Sequence, residues 1–233
     1  MMPARICFNS VDVEREGIDN LNKILDIFKK YNISGTLFVT GEFLEKYGDF
    51  AKNWPKDCEV ACHGFTHKFW NTLNSEERGI EIDRFNNLYQ NIFQKKPLGF
   101  RAPSHIINKE GLRLLAEKGF LYDSSIVPHY PPFKKYRGYK GKRPLLPYHP
   151  EGLNILEIPV RGQIWGIPLA GAWINKLPFW FYQILFFIHC PEFITLSIHS
   201  WDKLKNFEKI VKLLKDKNYQ FSNGAEIFYK NYR

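Results

Sequence analysis

The chain has 233 residues, of which 44% are hydrophobic and 24% are charged, and its formal net charge is +9. This composition excludes an intrinsically disordered chain and fits one domain of 1–233 in the barrel or α/β-sandwich size range. The positive charge suits an anionic partner such as a nucleotide sugar, a lipid diphosphate or a membrane surface. The sequence has no nucleic-acid-binding motif, and its basic residues are scattered except around 134–143, so we expect no nucleic-acid partner.

Strand and helix patterns alternate through the first half of the chain. This alternation predicts parallel strands joined by right-handed crossovers, with the loops that follow the strands gathered at one site. The predicted strands cover about 6–13, 35–41, 58–62, 98–101 and 120–122, and the predicted helices cover about 17–31, 42–52, 74–94 and 108–118.

The second half begins with an irregular, proline-rich segment at 128–150. Long loops in compact domains are commonly functional, so this segment is interpreted as a flap that faces a substrate or a membrane, or alternatively as a disordered connector. Strands are predicted at 156–160 and 193–198, and a helix then buries Phe207 to Leu214 before a last short strand and helix.

Three features bear on the compartment. The four cysteines contain no Cys-x-x-Cys pair, which favours free thiols in a reducing environment. The first residues lack a basic stretch followed by an apolar one, so we expect no signal peptide and a cytoplasmic location. The apolar run at 177–190 is shorter than the ~20 residues that span a bilayer, so it predicts either a core helix or an interfacial helix at the inner face of the membrane. The sequence does not predict the oligomeric state.

A histidine pair follows the strand at 58–62. His63 and His67 stand four residues apart, and two neutral imidazoles at a strand end can bind one zinc-like cation. The alternative is a pair of ordinary polar residues at a strand–helix junction. Gly64 follows His63, which excludes the His-Glu-x-x-His motif of metalloproteases.

Two carboxylates stand at the end of the first strand. Asp12 and Glu14 are two residues apart, so both side chains leave the same face of a strand. One can complete a metal site and the other can take a proton from water. The alternative is a solvated strand end.

Arg101 and Asp123 follow two later strands. The guanidinium of Arg101 can orient a carboxylate, with Asp123 or Asp12 as the candidates, and we expect Asp123 to be its partner. Arg101 and Asp123 are therefore candidate catalytic residues that keep the base oriented. Pro103 and Ser104 form the turn after Arg101, and the Ser104 amide can face a developing oxyanion.

His199 ends the strand at 193–198, beside Trp201. A histidine at this position can protonate a leaving amine, and Trp201 can contact a substrate. Taken alone, His199 would be an ordinary core or surface histidine.

These motifs, in this order, resemble those of the polysaccharide deacetylase family, also called the NodB homology domain or carbohydrate esterase family 4. The longer sequence stretches around these motifs are similar to those of a branch of the family associated with exopolysaccharide biosynthesis. The residues that carry the resemblance are Asp12 with Glu14, Glu59 to His67, Phe100 to Ser104, Tyr122 to Ser125, Glu157 to Val160, and His199 to Asp202.

The resemblance implies an α/β fold, a distorted (β/α) barrel with fewer than eight parallel strands. It also implies a divalent metal, usually zinc, held by one carboxylate and two histidines, and hydrolysis of the N-acetyl group of an N-acetylhexosamine. Asp12 matches the family's base, His63 and His67 its metal histidines, and His199 its acid.

The sequence departs from the family pattern at two positions. Val13 replaces the aspartate that usually binds metal, so Glu14 or Asp12 must complete the site. Ser104 replaces a tyrosine, which a backbone oxyanion contact tolerates.

The sequence thus favours a metal-dependent deacetylase of a polysaccharide or of a lipid- or nucleotide-linked sugar precursor. The alternatives are a metal-free glycan-binding or regulatory protein on a decayed scaffold, and a hydrolase of another non-peptide C–N amide bond.

Overall fold

The structure, a computed structural model, describes residues 5–14, 18–128, 138–162 and 169–231. Its strands are β1 (Arg5–Val13), β2 (Gly35–Val39), β3 (Cys58–Cys62), β4 (Gly99–Phe100), β5 (Tyr122–Asp123), β6 (Leu156–Glu157), β7 (Leu169–Ala170), β8 (Phe193–His199) and β9 (Tyr219–Ser222). Its α-helices are α1 (Ile18–Tyr31), α2 (Gly41–Ala51), α3 (Ser75–Phe93), α4 (Lys109–Glu117), α5 (Gly171–Lys176), α6 (Phe179–Ile188), α7 (Phe207–Asp216) and α8 (Gly224–Asn231).

The strands form one parallel sheet in the order β6-β5-β4-β3-β2-β1-β8-β7, and β9 pairs with the first half of β1. The sheet curves into a half-barrel with helices around it, so the predicted fold class, a distorted (β/α) barrel, is confirmed. The strand count was underestimated, because the described sheet has nine strands. Four of them, β4 to β7, are only two residues long.

The predicted elements of the first half are all present, with ends shifted by a few residues. Helix α3 begins at the expected capping box, in which Asn74 and Glu77 bond each other's backbone amides. The short elements β7 and α5 were not predicted, because two strand residues and six helical residues carry no periodic pattern. Of the predicted flap, residues 129–137 lie outside the described residues, and 138–150 carry one isolated bridge, from Tyr148 to Glu157.

The barrel interior and the helix layer divide the core into two parts. Side chains alternate along β1, so Phe8, Ser10 and Asp12 face the concave side while Cys7, Val11 and Val13 pack beneath the helices. The interior cluster below the site consists of Phe8, Phe38, Ala61, Tyr122, Leu156, Ile158, Phe193 and Ile227.

Helix α8 closes the end of the barrel opposite the strand C-termini. The amide of Ala225 in its first turn donates to the buried Glu59 carboxylate at 2.9 Å, and the Tyr122 hydroxyl donates to the same oxygen at 2.9 Å. Burial raises the pKa of Glu59 in spite of these hydrogen bonds. Helix α8 therefore occupies the end of the barrel at which the strands begin. No described helix is long and apolar enough to cross a membrane.

The Tyr122 ring fills space that only a glycine leaves free. A Cβ on Gly99 would lie 1.9 Å from that ring, so we expect Gly99→Ala to lower the free energy of unfolding by about 3 kcal/mol in urea denaturation. The matched control is Gly79→Ala in α3, where a Cβ meets nothing within 4 Å. It should raise stability by about 0.5–1 kcal/mol. Wild-type stability for Gly99→Ala would contradict this packing.

Candidate active site

The predicted site residues come together at the C-terminal ends of the strands. Asp12 lies on the central strand β1 and is in register with His199 on β8. His63 follows β3, and Arg101 follows β4. Parallel strands deliver their last residues to one edge, so the sheet itself collects these side chains.

Arg101 lies at the centre of the site and is fully buried. Its Nη1 donates to Asp12 Oδ1 at 2.7 Å and also to the hydroxyls of Ser10 and Ser197. Nη2 and Nε donate to the hydroxyl and the carbonyl of Ser124. The guanidinium carbon lies 4.1 Å from the centroid of Phe38 below it. Ser10 and Asp12 are two residues apart on β1, so the same alternation that turns Asp12 inward also brings the Ser10 hydroxyl to Arg101.

Asp12 is held as a carboxylate by this contact. Burial alone would raise its pKa, but the adjacent Arg101 guanidinium and the nearby histidines His63, His199 and His105 together lower the pKa well below its ordinary value. Asp12 is therefore ionised and fixed in position across the neutral pH range.

Asp123 makes no ion pair with Arg101 in the described part of the chain, contrary to the expected pairing, and the alternative partner, Asp12, takes its place. Its carboxylate accepts from the amide and hydroxyl of Ser125, and that hydroxyl in turn accepts the amide of Ala102 at 2.7 Å. Glu157 is buried beside it, and burial together with the Asp123 charge raises the pKa of Glu157 well above its ordinary value. Asp123 is fully buried. Through the Ser125 hydroxyl it positions the turn that begins at Ala102.

His63 is oriented by a backbone carbonyl. Its Nδ1 lies 2.7 Å from the Arg101 carbonyl oxygen, which can only accept, so Nδ1 carries the proton. This leaves Nε2 of the neutral ring as a lone-pair donor, which is the usual arrangement of a metal-binding histidine.

Glu14 lies between the two histidines. Its Oε1 is 3.4 Å from His63 Nε2 and its Oε2 is 3.1 Å from His67 Nε2. Within the described residues, neither of these buried nitrogens makes a hydrogen bond of ordinary geometry. Burial would raise the pKa of Glu14, but contact with the two imidazoles lowers it to about 2.

These separations fit a shared cation. Zinc bonds to nitrogen and oxygen are about 2.0–2.2 Å, so two ligands of one tetrahedral ion lie about 3.3–3.5 Å apart. The lone pair of His63 Nε2 would face a carboxylate oxygen without compensation unless a proton or a cation lay between them. Glu14, His63 and His67 therefore fit a divalent metal ion, and their ligand atoms all lie within 4.8 Å of one another.

The loop between the two histidines is held by a residue that the sequence did not reveal. The buried carboxylate of Glu81 accepts from the amides of Phe65 and Thr66 and from the Thr66 hydroxyl. His67 has a φ of 57°, a strained value for a residue with a side chain. Glu81 is a buried glutamate next to the apolar stripe of α3. Its position beside that stripe was the one feature of the sequence that could have indicated its role.

His199 is held by Asp202, whose Oδ2 accepts from the His199 amide at 2.7 Å and lies 3.0 Å from its Nδ1. The Trp201 ring stacks on the imidazole with centroids 4.6 Å apart. Burial lowers the pKa of His199, but Asp202, Asp12 and Glu14 outweigh it and raise the pKa above its usual value. Nε2 is left facing the site, 3.9 Å from Glu14 Oε1.

The turn after Arg101 borders the same site. Pro103 is buried, and Ser104 and His105 both have positive φ, at 55° and 58°. His105 was not among the predicted residues. Burial and the Arg101 charge lower its pKa to about 3, so this imidazole is neutral.

A sequence profile described as "Polysaccharide deacetylase" matches residues 6–122, half of the chain, and this range includes Asp12, Glu14, His63, His67 and Arg101. The chain belongs to the polysaccharide deacetylase family. The predicted resemblance is confirmed.

One sequence relative and two solved structures show what the chain is similar to. The peptidoglycan deacetylase-like protein FGM2 of Gibberella zeae is 34% identical over 119 residues, which cover 49% of this chain and 34% of FGM2. The peptidoglycan deacetylase PdaC from Bacillus subtilis has a TM-score of 0.60 at 16% identity, covering 98% of this chain and 93% of PdaC. BA3943, a CE4 family pseudoenzyme from Bacillus anthracis, has a TM-score of 0.67 at 16% identity, covering 97% of this chain and 66% of the pseudoenzyme. The structural likenesses show the fold alone.

The Arg101–Asp12 pair yields a stability prediction. Removing the guanidinium leaves Asp12 buried and uncompensated, so Arg101→Gln should lower the free energy of unfolding by about 3–5 kcal/mol at pH 7. Arg113→Gln, at an exposed position of α4, should change it by less than about 0.5 kcal/mol.

The stability difference should also depend on pH. The lowered pKa of Asp12 means that its contribution is present above the unfolded-state pKa of about 3.9 and is lost as the pH falls further. The difference in the free energy of unfolding between wild type and Arg101→Gln should therefore become smaller on acidification below about pH 4. A gap that widens in acid would contradict the pairing.

Proposed function

We propose that the protein is a metal-dependent hydrolase that removes the N-acetyl group from an N-acetylhexosamine in a polysaccharide or its precursor. The observation that carries this proposal is the position of Glu14, which faces both His63 and His67 while Asp12 is occupied by Arg101. Two carboxylates with separate environments can serve two roles, one as a metal ligand and one as a base.

Glu14, His63 and His67 would hold the metal, and the set of two nitrogens and one carboxylate suits Zn²⁺. A divalent ion at this position would polarise the acetyl carbonyl and lower the pKa of water. Glu14 thereby takes the role that the sequence left open between Glu14 and Asp12, and Val13 at the usual position is no obstacle because its side chain packs beneath the helices.

The chain's own residues supply the proton transfers. Asp12 accepts the proton of the attacking water, and Arg101 fixes the orientation of its carboxylate. The Ser104 amide donates to the oxyanion of the tetrahedral carbon. His199, whose pKa Asp202 raises, gives its Nε2 proton to the departing amine.

The substrate proposal rests on the chemistry of the rim and on the relatives. Trp201 is 42% exposed beside His199 and offers an apolar ring face on which a sugar can stack. FGM2 and PdaC bear names that refer to peptidoglycan, an N-acetylated glycan. A formal charge of +9 favours an anionic substrate, so we extend the proposal to lipid- or nucleotide-linked sugar precursors.

Isosteric variants separate the two carboxylates. We expect wild type to bind one Zn²⁺ by isothermal titration calorimetry and to release acetate from N-acetylglucosamine oligomers. Glu14→Gln should weaken Zn²⁺ binding by at least about 100-fold, more than loss of an outer-shell partner costs. Asp12→Asn should bind Zn²⁺ within about tenfold of wild type but lose about 10²–10⁴-fold in turnover.

The opposite pattern, with Zn²⁺ lost on Asp12→Asn and kept on Glu14→Gln, would assign the metal to Asp12. No stoichiometric metal and no acetate from any N-acetyl glycan would favour a metal-free glycan-binding protein, as the likeness to the pseudoenzyme BA3943 allows. Ring opening of cyclic ureides to the corresponding carboxylates, with none of the sugars deacetylated, would assign a different C–N bond.

Asp202 should control the pH profile. Because Asp202 raises the pKa of His199 and the acid must be protonated, kcat should fall as the pH rises through that pKa. Asp202→Asn should move this alkaline limb to lower pH, whereas Asp216→Asn, at an exposed position of α7, should leave it in place. An unchanged limb in Asp202→Asn would exclude His199 as the acid.

A further inference from the structure

Helix α6 exposes an apolar face. Its exposed positions are Trp180, Gln183, Ile184, Phe187 and Ile188, which recur at i, i+3, i+4, i+7 and i+8 and therefore form one continuous stripe. Phe187 is 84% exposed, and Trp180 and Ile188 are 58% and 59% exposed.

The opposite face of α6 already makes the core contacts. Tyr182, Leu185 and Phe186 are buried there, and the Tyr182 hydroxyl donates to the Trp173 carbonyl of α5 at 2.8 Å. The helix is therefore anchored by one face and presents the other outward. A surface helix normally carries polar residues on its outer face, so four large apolar side chains together indicate a partner.

The charge around this face selects an anionic partner. Residues 158–191 contain no aspartate or glutamate. Lys176 lies with its Nζ 4.4 Å from the centroid of the exposed Trp173, and Lys209 lies with its Nζ 5.7 Å from the centroid of Phe179. Tryptophan, phenylalanine and isoleucine flanked by lysines are the composition of helices that lie in the plane of a lipid headgroup region.

The face also adjoins the candidate active site. Gly171, the first residue of α5, packs directly against His199 and Asp202. Asn206 ties α5 to the start of α7 through the Ile174 carbonyl at 2.9 Å. A partner that contacts Trp173 and Trp180 therefore lies next to His199, at the opening of the candidate active site.

We propose that the outward face of α5 and α6 docks on an anionic lipid membrane. Trp173, Trp180 and Phe187 enter the headgroup region, and Lys176 and Lys209 contact acidic headgroups. This orientation holds the catalytic opening at the membrane surface, where a glycan on a lipid carrier is presented. The docking itself requires neither metal nor turnover, so it is testable apart from the proposed hydrolysis.

Vesicle co-sedimentation tests the docking. The full chain should sediment with vesicles of phosphatidylcholine containing 30% phosphatidylglycerol and much less with phosphatidylcholine alone, because each lysine near an anionic surface contributes about fivefold. The double variant Trp180→Ser with Phe187→Ser should bind at least about tenfold more weakly. The control is Ile80→Ser with Tyr229→Ser, which removes two exposed apolar side chains, 51% and 52% exposed, from α3 and α8.

Hydrolysis of a soluble substrate should be unchanged in the double variant, which also shows that it folds. Equal vesicle binding by the double variant and wild type would overturn the proposal. So would the absence of sedimentation with anionic vesicles at low salt. A dimer in sedimentation equilibrium that dissociates in the double variant, without vesicle binding, would instead assign this face to a second copy of the chain.

Discussion

The site depends on one buried guanidinium. Arg101 is fully enclosed and binds groups from β1, the residue after β5, and β8, so it joins strands from opposite sides of the half-barrel. A buried charge of this kind is costly unless it is paired and fully hydrogen-bonded, and Asp12 together with three serine hydroxyls meets that requirement. The same pairing engages the Asp12 carboxylate, whereas the Glu14 carboxylate faces His63 and His67.

Much of the fold and the gathering of the site follow from sequence pattern. Strand alternation places Asp12 inward, and parallel connections bring His63, Arg101 and His199 to one edge, which needs only periodicity and the handedness of crossovers. The choice between Asp12 and Glu14 could not be made in this way. The choice depends on which carboxylate Arg101 binds. The observed contact joins Arg101 to Asp12, which lie 89 positions apart in the sequence.

Other features lacked a local signal. Asp123 sits at a strand end like Asp12, but its neighbours Ser125 and Glu157 engage it, so chain position alone suggested a catalytic role that its contacts do not support. Glu81 stabilises the histidine loop from a helix whose pattern shows only that it is amphipathic. The exposure of α6 was equally hidden, because an apolar run of its length predicts a core helix more readily than an interfacial one.

Anomalous diffraction from a crystal of the zinc-loaded protein tests the division of labour between the two carboxylates most directly. We predict one ion at about 2.0–2.2 Å from Glu14, His63 Nε2 and His67 Nε2, with Asp12 still bound to Arg101. An ion bound by Asp12 in place of Glu14, or no ion at the histidine pair, would contradict it.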